Sequence, residues 1–468
     1  MAVHTNIDNS ADFPNSWTAE LSILLKLGIP MALAQLIQFS VYFFDTVMIA
    51  RISPTDVAAA ALGSVVYFML WMIGSGPVAA ISPLVSQALG KDKTDVKDPR
   101  RSVRMAIWAA FLMLPIVLIC LCFTETVALK LGQDPEVARK AQGYVLALAI
   151  GLPFALATMA LRNFLAALGK TNIPLVLVTL TTLINIALNY VLIFGNFGAP
   201  RLELVGAGIA SSLSYIAGFF LFAAYIQWDK RAKTFDVFKR LHRPDWSRFK
   251  EIITLGWPIS VTTIFEGMLF NAIVFITGIL GVMEQAAYQI ALNVASLAFM
   301  LPYGMSMAGS VRIGLARGAN HKIAEKRAAS TTLIACVLAI GLFALPIAIF
   351  PERISGLYLN PHKADDIIVA QFVIGFLPLA AGFMFFDALQ VGANQLLRGL
   401  KDVKAPIWIT AISYWVIGFP IAFYLALHTD IGVNGVWFGL MAGLFSAAIG
   451  LGTRLLWQIS TPHHPPSY

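Results

Sequence analysis

Apolar stretches of about 20 residues follow one another along almost the whole chain, separated by short polar or basic breaks. Each is long enough to cross a hydrocarbon core of about 30 Å as a helix. Within a stretch the apolar positions are continuous rather than alternating, so the period-two signature of a membrane barrel is absent. Lipid offers the backbone no hydrogen-bond partners, which leaves helices as the spanning form. Helices are predicted at 23–50, 57–88, 102–123, 137–168, 173–195 and 204–227, and again at 250–280, 286–316, 328–350, 366–398, 406–427 and 433–457.

The basic residues test that count. With an even number of spans and both termini on the cytoplasmic side, 26 of the 33 Lys and Arg residues fall inside and seven outside (Arg51, Lys130, Arg139, Lys140, Arg201, Arg353 and Lys363). This is the asymmetry of the positive-inside rule, and one helix more or fewer would scramble it. The net charge of +8 therefore has its origin in inner loops and does not call for a nucleic-acid partner. The most basic loop, Asp229–Lys250, lies midway along the chain and reads as an inner linker between halves.

The second half repeats the first at a shift of 228 residues. Leu27-Gly28-Ile29-Pro30 aligns with Leu255-Gly256-Trp257-Pro258, and Ala88-Leu89-Gly90 with Ala316-Arg317-Gly318. Six helices precede the boundary, an even number, so the halves share one orientation, as parallel repeats do. The expected fold is an all-α polytopic membrane protein: twelve transmembrane helices in two six-helix lobes related by pseudo-two-fold symmetry. The expected domains are a polar cytoplasmic segment 1–22, an N-lobe 23–227, a linker 228–249, a C-lobe 250–457 and a tail 458–468. The opening residues, with Asp8, Asp12 and Glu20, lack the basic region of a signal peptide. Pro30 and Pro258, a few residues inside their spans, are expected to bend their helices.

Composition agrees: 58% of residues are hydrophobic and 12% charged, against about 25% charged in a soluble domain. What matters chemically is therefore the polar minority inside the spans. Three carboxylates lie there, Asp45, Glu266 and Asp387, with no Lys or Arg within a turn to neutralise them. An acid at a helix centre costs about 2.5–3.5 kcal/mol on insertion scales, so each needs an interior partner or a wet cavity. Each also sits on a polar face. Gln35, Gln38, Tyr42 and Asp45 share one side of the first helix, and Asp387, Gln390, Asn394 and Arg398 one side of the tenth. Thr262 precedes Glu266 by one turn. Thr182, Asn185 and Asn189 form a stripe on the fifth helix, and Gln289, Asn293 and Ser296 on the eighth. Such stripes also serve simply to join helices.

The carboxylates suit exchange. Desolvation makes a buried carboxyl's proton exchangeable nearer neutral pH, and the same anion can hold Na⁺ with neighbouring oxygens. A bound organic cation favours the ionised form too, so coupling ion and substrate compete for one charge. Phe, Met and Trp side chains supply adaptable cation–π and apolar contacts. Other classes lose ground on what is missing. The chain has no GxxxxGK[ST] phosphate loop, no HExxH spacing and no TVGYG filter. Cys120, Cys122 and Cys336 have no metal or disulfide spacing and read as small apolar residues. No catalytic set is found, so an enzyme is not expected, nor a cofactor beyond the coupling ion. A monomer is expected, in contact with membrane lipids. The rival readings are a lipid-linked oligosaccharide flippase, which would line its cavity with several bases where Arg162 and Arg398 are the only candidates, and a non-transporting receptor or enzyme.

At this point the residues match a family. Pro30 through Asp45-Thr46-Val47-Met48, Ser82-Pro83-Leu84-Val85-Ser86-Gln87-Ala88-Leu89-Gly90, Pro302-Tyr303-Gly304, Val311-Arg312-Ile313-Gly314 and Gln395-Leu396-Leu397-Arg398-Gly399, with the pairs Gly206/Gly208 and Gly432/Gly435, occur in the family's order and spacing. The sequence resembles the multidrug and toxic compound extrusion (MATE) transporters over about 23–457, within them the bacterial NorM-like branch. The resemblance implies export of organic cations, often aromatic drugs, in exchange for Na⁺ or H⁺ across a bacterial inner membrane. It implies that Glu266 and Asp387 form the second half's cation site, and that Asp45 is the first half's acid, faced by Asn185 and Asn189. Two positions depart from the pattern: Ala50 stands where Gly is common, and Phe383 where some relatives have Tyr.

Overall fold

The computed structural model describes residues 13–360 and 362–461; Asp8, Asp12, most of the expected N-terminal segment and the end of the expected tail lie outside them. All its regular elements are helical. Eleven single helices are long and apolar enough to span a membrane, and one bent pair makes the twelfth. In chain order they are α1 (Trp17–Ile49), α2 (Pro54–Lys91), α3 (Lys97–Lys130), α4 (Pro135–Ala149 with Leu152–Ala167), α5 (Asn172–Phe194) and α6 (Glu203–Trp228), then α7 (Trp246–Leu280), α8 (Val282–Gly318), α9 (Lys322–Ile349), α10 (Ala364–Gly399), α11 (Lys404–His428) and α12 (Asn434–Ser460). A short helix, Pro351–Tyr358, lies between α9 and α10.

Most ends fall within a few residues of expectation; the largest departures are the start of α1 at Trp17 rather than 23, the end of α3 at Lys130 rather than 123, and the start of α9 at Lys322 rather than 328. The first turn of α1 is polar, which places it outside the span by hydropathy. Ser16 caps it, accepting from the Ala19 N–H at 3.2 Å. Glu20 is buried there because Arg312 of α8 donates to both its oxygens, at 2.8 and 2.7 Å.

Two interior irregularities also escaped the hydropathy pattern. The α4 pair bends by 44°. At the bend the Ser212 hydroxyl of α6 accepts from the Gly151 N–H at 3.1 Å and donates to the Ala147 carbonyl at 2.5 Å, entering the helical ladder where it opens. In α11, Ile412–Gly418 winds as a π-helix just ahead of Pro420, which has no N–H to give the carbonyl one turn back. Pro30 and Pro258, by contrast, lie inside unbroken helices.

The chain divides into two compact units. The first is Leu33–Leu89 with Lys93–Ile264; the second takes the chain up to Ala32, Gly90–Asp92, and the chain from Phe265 onward. Compared with lobes drawn at 23–227 and 250–457, the opening stretches of α1 and α7 are exchanged. Small residues explain the attachment. In the first unit a Cβ on Gly76 would stand 2.3 Å from the Gly256 carbonyl oxygen, and one on Gly256 would stand 2.2 Å from Pro77 Cα. In the second unit a Cβ on Gly304 would stand 2.4 Å from the Ala32 nitrogen. Backbones this close exclude larger side chains, as in other tight membrane crossings. Gly28 and Gly256, Ala32 and Ser260, and Gly76 and Gly304 are each related by the 228-residue shift. The repeat seen in the sequence is thus a repeat of packing.

The second unit's core is aromatic. Tyr288, Phe376, Phe383 and Trp437 are all buried, with ring centroids of Trp437 5.3, 6.0 and 5.8 Å from the other three. This cluster fixes α10 one turn before Asp387.

Candidate functional site

Each unit holds its own acid site. In the second unit α10 presents Asp387, Gln390 and Asn394 on one face, with exposures of 6%, 0% and 4%. One oxygen of each, Asp387 Oδ1, Gln390 Oε1 and Asn394 Oδ1, is buried without a hydrogen-bond partner. Buried acceptors are rarely left so, and each costs about 1–3 kcal/mol unless something occupies it. Gln390 Nε2 donates to Tyr414 Oη at 2.7 Å. Tyr414 lies within the π-helical stretch of α11, a device often found at functional sites.

Glu266, half-buried on α7, lies in the electrostatic field of both Asp387 and Arg398. Arg398 also lies in the electrostatic field of Tyr303 and Tyr414. The structure thus groups Glu266, Asp387, Gln390 and Asn394 with Arg398, which the sequence had placed on the Asp387 face, and with two residues it had not assigned, Tyr303 and Tyr414. The acids have a cationic neighbour after all, delivered from another helix. Arg398 lies on the Asp387 face of α10 by spacing, which was the available signal. Its nearness to Glu266 depends on α7 packing and was not readable.

The amide stripe on α8 is not part of this cluster. Gln289 and Asn293 are exposed, and Asn293 Oδ1 accepts from Tyr358 Oη at 3.0 Å. Among the described residues no hydrogen bond joins either to the carboxylates. Thr262, one turn before Glu266, donates to carbonyls of its own helix, Pro258 and Ile259, at 3.1 and 2.9 Å.

In the first unit the half-buried Asp45 accepts from Asn189 Nδ2 at 2.5 Å. Asn189 also donates to Asn185 Oδ1 at 3.3 Å, and Asn185 Nδ2 to Ser211 Oγ at 3.3 Å. The fifth-helix stripe does face the first-helix acid. Tyr144, buried, and Tyr215, half-buried, lie in the field of Asp45; they too were missed, since isolated tyrosines in apolar helices have no pattern to mark them. Of the remaining expected residues, Tyr42 is exposed, and Gln38 is exposed and accepts from Arg162 Nη1 at 2.7 Å.

Chemically the second unit offers a hard donor set, one carboxylate oxygen and two amide oxygens on adjacent turns, with a second carboxylate nearby. Oxygen ligands of this kind suit Na⁺ or a proton rather than a thiophilic or imidazole-seeking metal. Among the described residues no group of three His, Cys, Asp or Glu side chains is placed to hold a metal ion. The cysteines are free, Cys120 and Cys122 exposed and Cys336 buried.

Comparison with known proteins identifies the family. The MatE family model matches residues 30–191 and 258–424, two stretches that begin 228 residues apart. A probable multidrug resistance protein NorM of Rhizobium meliloti (strain 1021) is 39% identical over 447 residues, 95% of each chain. The multidrug resistance protein MdtK of Yersinia enterocolitica is 33% identical over 95% of this chain and 97% of its own. A solved structure described as the outward-facing conformation of a multidrug resistance MATE family transporter superposes with a TM-score of 0.84 at 18% identity, over 94% of this chain and 96% of that one. The family model thus matches both halves of the repeat, and the sequence relatives are similar almost end to end: the chain belongs to the MatE family, in its NorM-like branch.

Proposed function

We propose that the protein is a secondary active multidrug exporter of a bacterial inner membrane, expelling organic cations in exchange for Na⁺ or H⁺, with both termini cytoplasmic. The observation that carries the reading is the row of unpartnered oxygens on α10, at Asp387, Gln390 and Asn394, beside the second acid Glu266. A Na⁺ ion can take several such oxygens as ligands. A single proton on Asp387 turns that carboxyl into a donor for one amide oxygen and leaves the other unmet. The donor set therefore favours Na⁺ over H⁺.

Coupling follows from competition. Arg398 already offsets part of the negative charge, so the site has little more than one cation's worth of attraction to give. A coupling ion entering favours release of a substrate cation, and the reverse. Asp45 with Asn185 and Asn189 forms a second acidic locus that either species can use. The flippase alternative is weaker, because the bases it would need are engaged: Arg162 donates to Gln38, and Arg398 faces Glu266.

The test is export of a fluorescent organic cation from proteoliposomes, with Na⁺ and pH gradients imposed separately. Acceleration by an inward Na⁺ gradient is expected. Response to the pH gradient alone would assign the proton, and response to neither would overturn antiport.

A further inference from the structure

The linker between α6 and α7 is the most basic loop of the chain, yet it is not slack. Arg100 Nε donates to the Phe235 carbonyl at 2.6 Å, and Trp108 Nε1 to the Leu241 carbonyl at 2.7 Å. Arg101 grips both oxygens of Asp245, at 2.5 and 3.2 Å. The Phe235 ring packs edge-on against Phe164 at 5.3 Å. These contacts pin the linker to the first turns of α3 and to the end of α4.

Pinning concentrates charge. Arg104 Nη1 donates to the Arg240 carbonyl at 3.4 Å, and Arg104 lies in the field of Asp245 and of the like charges of Arg101, Arg100 and Arg240. Arg100 and Arg101 have acidic partners, Asp236 at 3.6 Å and Asp245. Arg104 has a buried Nε with no acceptor. Among the described residues no carboxylate lies within ion-pair distance of Arg104 or Arg240. Arg104 is half-buried and Arg240 exposed, and like charges held in one place attract an anion that joins them. The guanidinium fork fits phosphate oxygens in particular.

The surroundings say which phosphate. Trp246, 60% exposed, stacks edge-on with Trp108 at 6.4 Å, and Trp228 is 82% exposed. Tryptophans gather at the headgroup level of a membrane. A basic cluster beside them on the inner side meets the anionic lipids of that leaflet. We propose that Arg104 and Arg240 form a site for the phosphate of an anionic phospholipid headgroup, so that an inner-leaflet lipid fastens the linker between the two halves.

The experiment compares lipid retention by the purified full chain, read by native mass spectrometry and by thermal unfolding, in vesicles of phosphatidylcholine with and without phosphatidylglycerol. The wild type is expected to retain phosphatidylglycerol and gain stability from it. Arg104→Gln/Arg240→Gln should lower that preference about tenfold. Lys230→Gln/Arg231→Gln, which removes the same charge from the same linker, should change it less than about twofold. Equal losses in the two variants would reduce the effect to diffuse charge and overturn the site. Equal stabilisation by inorganic phosphate in detergent would overturn the lipid as its occupant. If the double variant cannot be recovered folded, Arg240→Gln alone, at an exposed side chain, should lose about threefold, and no loss would count against the proposal.

Discussion

The two units bury their acids differently. Asp45 in the first unit is met by a donor: Asn189 reaches it at 2.5 Å, and Asn185 and Ser211 continue the chain of amide and hydroxyl contacts. Asp387 in the second unit shares its face with two amides whose oxygens, like its own, meet no donor, while the compensating charge of Arg398 sits toward Glu266. Asp45 thus has a donor within the protein and Asp387 Oδ1 has none, although Asn189 Oδ1 in the first unit is likewise buried without a partner. Two halves of one repeated sequence pattern therefore surround their acids with different partners.

Substitution at the acids tests this difference with the largest expected effect. Asp387→Asn or Glu266→Gln should lower cation export at least about 100-fold, since the amide keeps the shape but gives up a charge that nothing else in the cluster replaces. Asp45→Asn should lower it only about three- to tenfold, because an amide there can still accept from Asn189. Efflux of a fluorescent cation, normalised to membrane-inserted protein, gives both numbers. Equal losses would erase the distinction between the units, and wild-type export in Asp387→Asn would remove that residue from the mechanism.

Twelve spans and the repeat were legible because hydropathy is local and periodic. The three acids were legible for the same reason: a carboxylate in an apolar run is conspicuous. Residues defined by cross-helix neighbours were hidden. Glu20 looked like part of a polar leader until Arg312, almost 300 residues on, was found holding it. Tyr144, Tyr215 and Tyr414 carry no pattern of their own. The same holds for the exchanged openings of α1 and α7. Gly28 and Gly256 were aligned by the repeat, but nothing in their spacing says which helix each one meets.

Those crossings provide the next test, for the two units are alike in plan and unlike in detail. A Cβ added at Gly256 meets Pro77 backbone at 2.2 Å; one added at the equivalent Gly28 meets the Met305 sulfur at 2.5 Å, with backbone no nearer than 3.2 Å. A thioether can swing aside and a backbone cannot. Gly256→Ala should therefore cost about 3 kcal/mol and Gly28→Ala about 1 kcal/mol or less, within the range of overpacking penalties. Thermal unfolding of the purified variants decides it. The reverse order would mean that the first unit's crossing is the more yielding of the two.

The smallest effect concerns how each unit is fastened near the start of α1 and α7. In the second unit Glu20 and Arg312 are both buried. In the first, Asp245 and Arg101 remain partly open to solvent. The Arg101 hydrogen bonds hold the Asp245 carboxyl below the usual carboxylate range. Asp229 is also held low: burial by itself would raise it, but the Lys170 ammonium bonded to it outweighs that. A carboxylate lowered in the folded state contributes stability that is fully present above its unfolded pKa, about 3.9. That contribution is lost as pH falls through the folded value. Amide-exchange protection of the linker should thus be flat from about pH 8 to 5 and decline only below about pH 4. Asp245→Asn should reduce it about fivefold at neutral pH, on the order of 1 kcal/mol for a part-exposed pair, and flatten the acid limb. A decline already under way between about pH 7 and 5 would mean that these carboxylates do not govern the fastening.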